Sequence, residues 1–234
     1  MLLIFALFLA SFLAFGESKK DIAPDQKVVF VLDINRTMNT KDMSYDGKQI
    51  SRLQAAKILI QKTILSDAQF SYGLIIFNAS SDYIIPPTFD TWTFLLYLSW
   101  ITTSLLPDWA KDFAQLSWLL RDEYTSYLII SDFDAAKQGS SKFSKTTSLL
   151  GLGSREWDVV RYANGVRYYD NGKSVFSARN DQFAQSLNVP YTPLTTIDAF
   201  SLQKLLYHVF SLPLSQRVFL YTILWVLVVL VVLL

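Results

Sequence analysis

The chain has no cysteine and a single histidine, His208. Disulfides, thiol nucleophiles and thiolate metal sites are therefore excluded, as is any zinc site or acid–base pair built from several histidines. His208 reads as a packed or capping residue of a late helix. An excess of one charge is also missing: 21 Lys and Arg face 20 Asp and Glu. No basic stripe points to nucleic acid, and no acidic tail would stay solvated as an arm.

Apolar residues are plentiful, at 51% of 234 positions. That is high for a soluble domain, and the excess sits at the two ends. Leu2 to Phe15 carries no charge but is shorter than the ~20 residues a spanning helix needs. Ala14-Phe15-Gly16 offers small residues where a signal peptidase would read them, and Glu17-Ser18-Lys19-Lys20 follows. Residues 1–16 read as a signal peptide or N-terminal signal anchor, although no Lys or Arg precedes the apolar run. At the other end, Val218 to Leu234 is Leu, Val, Ile and aromatics, with Tyr221 and Trp225 in its first half. As a helix it reaches ~26 Å, slightly short of a ~30 Å hydrocarbon core. An apolar helix without a polar face is a buried core helix or a span. Residues 218–234 read as a C-terminal transmembrane helix. Lys19, Lys20, Lys27 and Arg217 flank both runs on the side of the central domain. By the positive-inside rule that places the domain in the cytoplasm, whereas the signal-like start argues for export.

Residues 27–210 form the central domain, and its pattern alternates strands with helices. Val28-Val29-Phe30-Val31-Leu32 is a run that suits a parallel strand buried on both faces. Ile50 to Leu65 has helical periodicity, with Leu53, Ala56, Ile60 and Ile64 on one side. Tyr72–Phe77, Ser126–Ser131 and Ser148–Leu152 read as further strands. Asp90 to Ile101 and Asp108 to Arg121 read as helices, with Asp90 and Asp108 as N-caps and Pro107 just before the second. Val166 to Phe176 reads as a hairpin turning at Asp170-Asn171-Gly172. Asp181 to Leu187 and Asp198 to Phe210 are the closing helices. This order predicts an α/β domain: a Rossmann-like open, mostly parallel sheet with helices on both faces. Such sheets bind ligands at the carboxyl ends of their strands.

Two strands deliver carboxylates to that edge. The first ends in Asp33-Ile34-Asn35-Arg36-Thr37-Met38, the third buried one in Ser131-Asp132-Phe133-Asp134. Asp33, Asn35 and Thr37 alternate, so their oxygens can converge as hard ligands for magnesium, with water completing an octahedron. On spacing alone the alternative stands equally, that Asp33 and Asn35 only cap the loop and the next helix.

Val31-Leu32-Asp33-Ile34-Asn35-Arg36-Thr37-Met38 resembles the metal-ion-dependent adhesion site (MIDAS) of the von Willebrand factor A (vWA) domain, whose usual form is Asp-x-Ser-x-Ser-Met after a buried strand. In order along the chain, Arg52-Leu53-Gln54-Ala55-Ala56-Lys57, Tyr72 to Ser80, Ser81 to Thr88 with Pro86-Pro87-Thr88, Tyr127 to Asp132, Gly151-Leu152-Gly153, the Asp170-Asn171-Gly172-Lys173 turn and Asp181 to Leu187 are similar to segments of the bacterial aerotolerance-type (Bat-like) vWA proteins. The resemblance covers about residues 27 to 210. It implies that Asp33, Asn35, Thr37 and Asp132 are metal positions for Mg2+, with Asn and Thr replacing two serines. It also implies an extracytoplasmic domain held at the cell membrane, and that reading is followed over the charge count. The family's remaining ligand is a Thr preceded by Gly at a helix start. Aligning Leu106-Pro107 and Asp112 with the pattern puts Lys111 there; Thr102 and Thr103 come too early. An ammonium offers only donors and cannot ligate magnesium. Either Lys111 is a tethered cation that replaces the metal, or it points to solvent from a helix surface while Asp108 or water completes the site.

Three functions follow as expectations. The first is a membrane-anchored vWA domain, not an enzyme, that mediates protein–protein interaction through a degenerate adhesion site. The resemblance implies a protein partner: another membrane protein, a second vWA protein or a MoxR-type chaperone-like ATPase. The second is a structural scaffold without metal, whose Trp92, Trp100, Trp109 and Trp118 would anchor interfaces where exposed. The third rests on spacing alone. Asp33-Ile34-Asn35-Arg36-Thr37 has the spacing of the haloacid-dehalogenase phosphatase loop, in which Asp33 would be the nucleophile. Asn35 would stand where that family needs a general acid, and an amide cannot give up a proton.

Overall fold

The computed structural model describes residues 27–197, apart from 67–69, 79, 104–110, 135–141 and 163. The expected signal segment 1–16, the helix from Asp198 to Phe210 and the apolar run 218–234 lie outside the described residues. Among the described residues no helix is long and apolar enough to cross a membrane.

Strand β1 (Lys27–Asp33) is the centre of the fold. Val28 to Leu32 are buried on both faces, each worth about 2 kcal/mol of transfer free energy. β1 pairs in parallel with β4 (Ser71–Phe77) on one side and with β6 (Thr125–Ser131) on the other. β7 (Thr147–Leu152) and β12 (Tyr191–Leu194) extend the β6 side in parallel. β5 (Ser81–Thr88) closes the β4 side antiparallel. The order β5-β4-β1-β6-β7-β12 reverses direction at β1 and β6, so the crevice of an open α/β sheet falls at the carboxyl ends of those two strands.

Both outer strands contain prolines, Pro86 and Pro87 in β5 and Pro193 in β12. An edge strand tolerates the missing donor that a central strand would not. The predicted short segment after β4 is therefore a strand, and β12 is one that the sequence pattern had not suggested.

Helix α1 (Arg52–Ser66) starts at Ser51, whose hydroxyl accepts from Gln54 N at 3.1 Å. Its inner face holds Leu53, Ala56, Ile60 and Ile64 as predicted, together with Ala55 and Leu59. α1 and α2 (Thr91–Trp100) cover the face of β1 that presents Val28, Phe30 and Leu32. Asp90 caps α2 as expected, accepting from Thr93 N at 3.0 Å. On the other face Phe113 and Leu116 of α3 (Phe113–Leu119) pack on Val29 and Val31. Ala184 of α4 (Asp181–Ser186) joins the same cluster.

Of the second predicted helix, Asp108–Arg121, the expected cap Asp108 and Trp109 lie outside the described residues, and the described helix runs from Phe113 to Leu119. Its cap is Asp112, which accepts from Gln115 N at 2.9 Å. Lys111 thus precedes the helix rather than riding on its surface.

Two hairpins decorate the carboxyl edge. β2 (Met43–Tyr45) and β3 (Lys48–Ile50) join through Asp46-Gly47, and β9 (Tyr169–Asp170) and β10 (Lys173–Ser174) through Asn171-Gly172. All four turn residues have positive φ, the two-residue turn that matches strand twist. The second hairpin is the predicted one with shorter arms: Phe176 leaves it in β11 (Phe176–Ser177), which pairs with β8 (Asp158–Val159). After β12, the short β13 (Thr196–Ile197) lies beside β2.

Candidate functional site

The sequence positions that β1 and β6 deliver do meet at one edge. Asp33 ends β1 and Asp132 follows β6, and both are fully buried. Between them lies the Lys111 ammonium, also fully buried. Its Nζ is 2.7 Å from Asp33 Oδ2 and in direct contact with Asp132 Oδ1. Asp33 Oδ2 also accepts from Ser131 Oγ at 2.6 Å, and Asp33 Oδ1 from the Asn35 backbone N at 2.9 Å. Asn35 begins a 3-10 turn (Arg36–Asn39) without a side-chain cap. Thr37 is buried in that turn; its hydroxyl makes no regular hydrogen bond, yet lies close enough to help stabilise the Asp132 carboxylate. Arg36 turns aside, its guanidinium 4.6 Å from the centre of the Tyr168 ring. Thr103 accepts from Asn39 Nδ2 at 2.7 Å, and Thr102 is exposed.

A second cation belongs to the site. Arg52 is fully buried at the start of α1 and reaches under the loop. Its Nη1 is 2.7 Å from Asp132 Oδ2 and 2.8 Å from Ser177 Oγ. Its Nε and Nη2 fork onto the Asp42 carboxylate at 2.9 and 2.7 Å. Arg52, Asp42, Ser131 and Ser177 were not singled out as site residues from sequence. The available signal was the charge of Arg52 on the stripe of Ala56, Leu59 and Thr63, since a charge on a buried helix face demands a partner.

Three carboxylates and two cations are thus closely interleaved. Burial would raise the Asp132 pKa, but Lys111 and Arg52 outweigh it and hold the carboxyl at about 2. Burial would lower that of Lys111; the two carboxylates outweigh it and keep the lysine charged. Among the described residues Asp33 has one cation beside it, Lys111. Burial pushes its carboxyl up, Lys111 pulls it back, and the Asp132 charge adds to the rise.

Neither a family model nor a curated protein matches the sequence. Solved structures do. The conserved hypothetical protein BatB from Bacteroides thetaiotaomicron is 20% identical, with a TM-score of 0.67 over 79% of this chain and 97% of that one. An aerotolerance-related membrane protein from Bacteroides fragilis is 20% identical, with a TM-score of 0.62 over 80% of this chain and 100% of that one. The chain shares the fold of these two proteins.

Within this fold Asp33, Asn35, Thr37 and Asp132, the residues expected to form an adhesion site, all lie at the expected edge, but the donor set around them does not suit a divalent ion. The ammonium nitrogen lies where an ion bridging Asp33 and Asp132 would have to sit, and it would repel one. Among the described residues no group of three or more acidic or histidine side chains is gathered to hold a metal. Lys111 does not point to solvent.

Glycine closes the site from below. Gly153 has φ +105°, and a Cβ there would stand 2.3 Å from Arg52 Nε. Gly153→Ala is expected to lower the unfolding free energy by about 2 kcal/mol or more, since it adds left-handed strain to a displaced buried guanidinium. Urea unfolding reads this, and a variant as stable as wild type would show that Arg52 is loosely held.

Proposed function

We propose that this chain is a membrane-held, non-enzymatic protein-binding module of the vWA type in which a lysine has taken the place of the metal. The observation that supports it is the Lys111 ammonium enclosed between Asp33 and Asp132. In a metal-dependent adhesion site a ligand carboxylate completes the ion's coordination shell. Here the positive charge is already enclosed and its acceptors are supplied from within. A partner therefore reads the surface of the carboxyl edge rather than a bare cation.

That edge has a cleft of about 630 Å3 lined in part by Asp134, two residues beyond Asp132, and by Arg155, Trp157, Gln182 and Gln185. Arg155 pairs with Asp181 at its mouth, and Trp157 is exposed. An exposed Trp and Arg flanked by amide side chains suit protein recognition. The two apolar runs outside the described residues supply the membrane attachment, and the partner is an envelope or membrane protein.

The test is calorimetry of Mg2+ and Mn2+ on the full chain in detergent. No binding to wild type is expected. Lys111→Thr should acquire a magnesium site, because a hydroxyl replaces the ammonium and frees both carboxylates. A wild-type site that disappears in Asp33→Ala would overturn the metal-free reading and restore the adhesion site.

A further inference from the structure

The amino-terminal edge of the sheet lies opposite the Lys111 site and carries an unexpected set of side chains. Leu65 is in the last turn of α1 and exposed. Phe89 and Trp92 flank the cap of α2 and are exposed. So are Trp118 and Leu119 at the end of α3, and Tyr124 just before β6. Strand register puts them on one edge. Thr88, next to Phe89, pairs with Tyr72 near the start of β4. Thr125, next to Tyr124, pairs with Lys27 at the start of β1. Trp92 is 72% exposed and Tyr124 89%, so neither ring contributes much to the core.

The charges on this edge are mixed. Lys27 and Arg121 are matched by exposed Asp90, Asp122 and Glu123, and the Arg121 guanidinium lies over the Trp118 ring at 3.3 Å. Among the described residues an anionic headgroup cluster or an acidic protein would find no basic patch on this edge. Indole and phenol rings set among balanced charges instead have the chemistry of a membrane interface, where one end of the ring is apolar and the other wet.

The chain's own path decides the occupant. β1 begins on this edge, and only residues 16–26 separate Lys27 from the uncharged run Leu2–Phe15. Eleven residues reach at most ~37 Å, and tethering raises the effective concentration of the edge at the bilayer into the millimolar range. A weak interfacial preference is then enough. β12 ends opposite Leu152 at the other edge, but 20 residues, 198–217, precede Val218. Even as a helix that length spans ~30 Å, more than the ~23 Å of a seven-residue strand.

We propose that the amino-terminal edge rests in the headgroup zone of the lipid bilayer through Phe89, Trp92 and Tyr124, which turns the Lys111 edge and its cleft away from the membrane toward a partner. This inference rests on the membrane attachment proposed above.

The absence of cysteine makes the test direct. Trp92→Cys, Tyr124→Cys and, at the opposite edge, Trp157→Cys are each made in the full chain, labelled with a nitroxide and reconstituted into phosphatidylcholine vesicles. Flotation first reports attachment. Power saturation with oxygen and with a water-soluble nickel chelate then reports the surroundings of each label. Oxygen-to-nickel accessibility should be several-fold higher at 92 and 124 than at 157. Floating chains whose labels at 92 and 124 are as nickel-accessible as at 157 would overturn the inference and leave attachment standing. Low access to both reagents at 92 and 124 would mean that protein covers the edge, which also overturns it. Chains that do not float would remove the attachment and this inference together.

Discussion

Replacing Lys111 by methionine should cost about 3–5 kcal/mol of unfolding free energy at neutral pH, the usual consequence of removing one partner of a buried ion pair. Methionine keeps the length and packing of the stem, so the loss reports charge rather than a cavity. Among the described residues it leaves Asp33 with Ser131 and a backbone N–H as hydrogen-bond donors, facing the Asp132 carboxylate. The pH dependence carries the sign. With its cation gone, Asp33 has a folded pKa still further above the unfolded value of 3.8. A carboxyl raised on folding destabilises above its folded pKa, and the penalty fades as pH falls and the group binds a proton. Asp132 behaves oppositely. In wild type it is held at about 2, so its contribution, roughly 2 kcal/mol, is present above pH ~4 and lost only as pH falls through its folded pKa. Because the Asp33 carboxyl stands higher in the variant than in the wild type, lowering the pH from 7.5 to 5 should recover more stability in the variant than in the wild type. Urea midpoints at the two pH values check this: a gap that widens in acid, or a loss under 1 kcal/mol at neutral pH, would sink the tethered-cation account.

Arg52 should prove equally sensitive, and to a change usually called conservative. Arg52→Lys is expected to lose about 3 kcal/mol or more, because one ammonium cannot reach Asp42, Asp132 and Ser177 together. The guanidinium satisfies all three through its fixed fork. Arg52→Leu should cost a similar amount, since Asp42 and Asp132 each lose a buried partner. A Lys variant within 1 kcal/mol of wild type would mean that water replaces the fork. Because Lys111 and Arg52 share Asp132, the double variant should depart from additivity by at least 0.5 kcal/mol; additive losses would show that the two cations act separately.

Much of the architecture was legible because its physics is local. The Val28–Leu32 run, the α1 stripe and the Asp90 cap each reflect a preference written into consecutive residues. What was missed had a local disguise. β5 and β12 carry prolines that argue against a strand until their place at the sheet edges is known. The Asp46-Gly47 hairpin was signalled by a dipeptide, but its arms are too short to show alternation. Lys111 looked like a position on a helix, and the helix starts two residues later, at Phe113 behind the Asp112 cap. Asp33 and Asp132 could be assigned to one edge because parallel strands must end together.

By itself, then, the sequence determined the strand-and-helix order, the edge at which a site would form and the oxygen-bearing residues that would stand there. Only the tertiary structure decided that Lys111 fills the space between Asp33 and Asp132 and that Arg52 reaches Asp132 from the far side. The reason is physical. A side chain's charge is a property of its own residue, but the partner that neutralises it when water is removed is chosen by packing. Here that choice unites positions 33, 52, 111 and 132, which no local pattern connects.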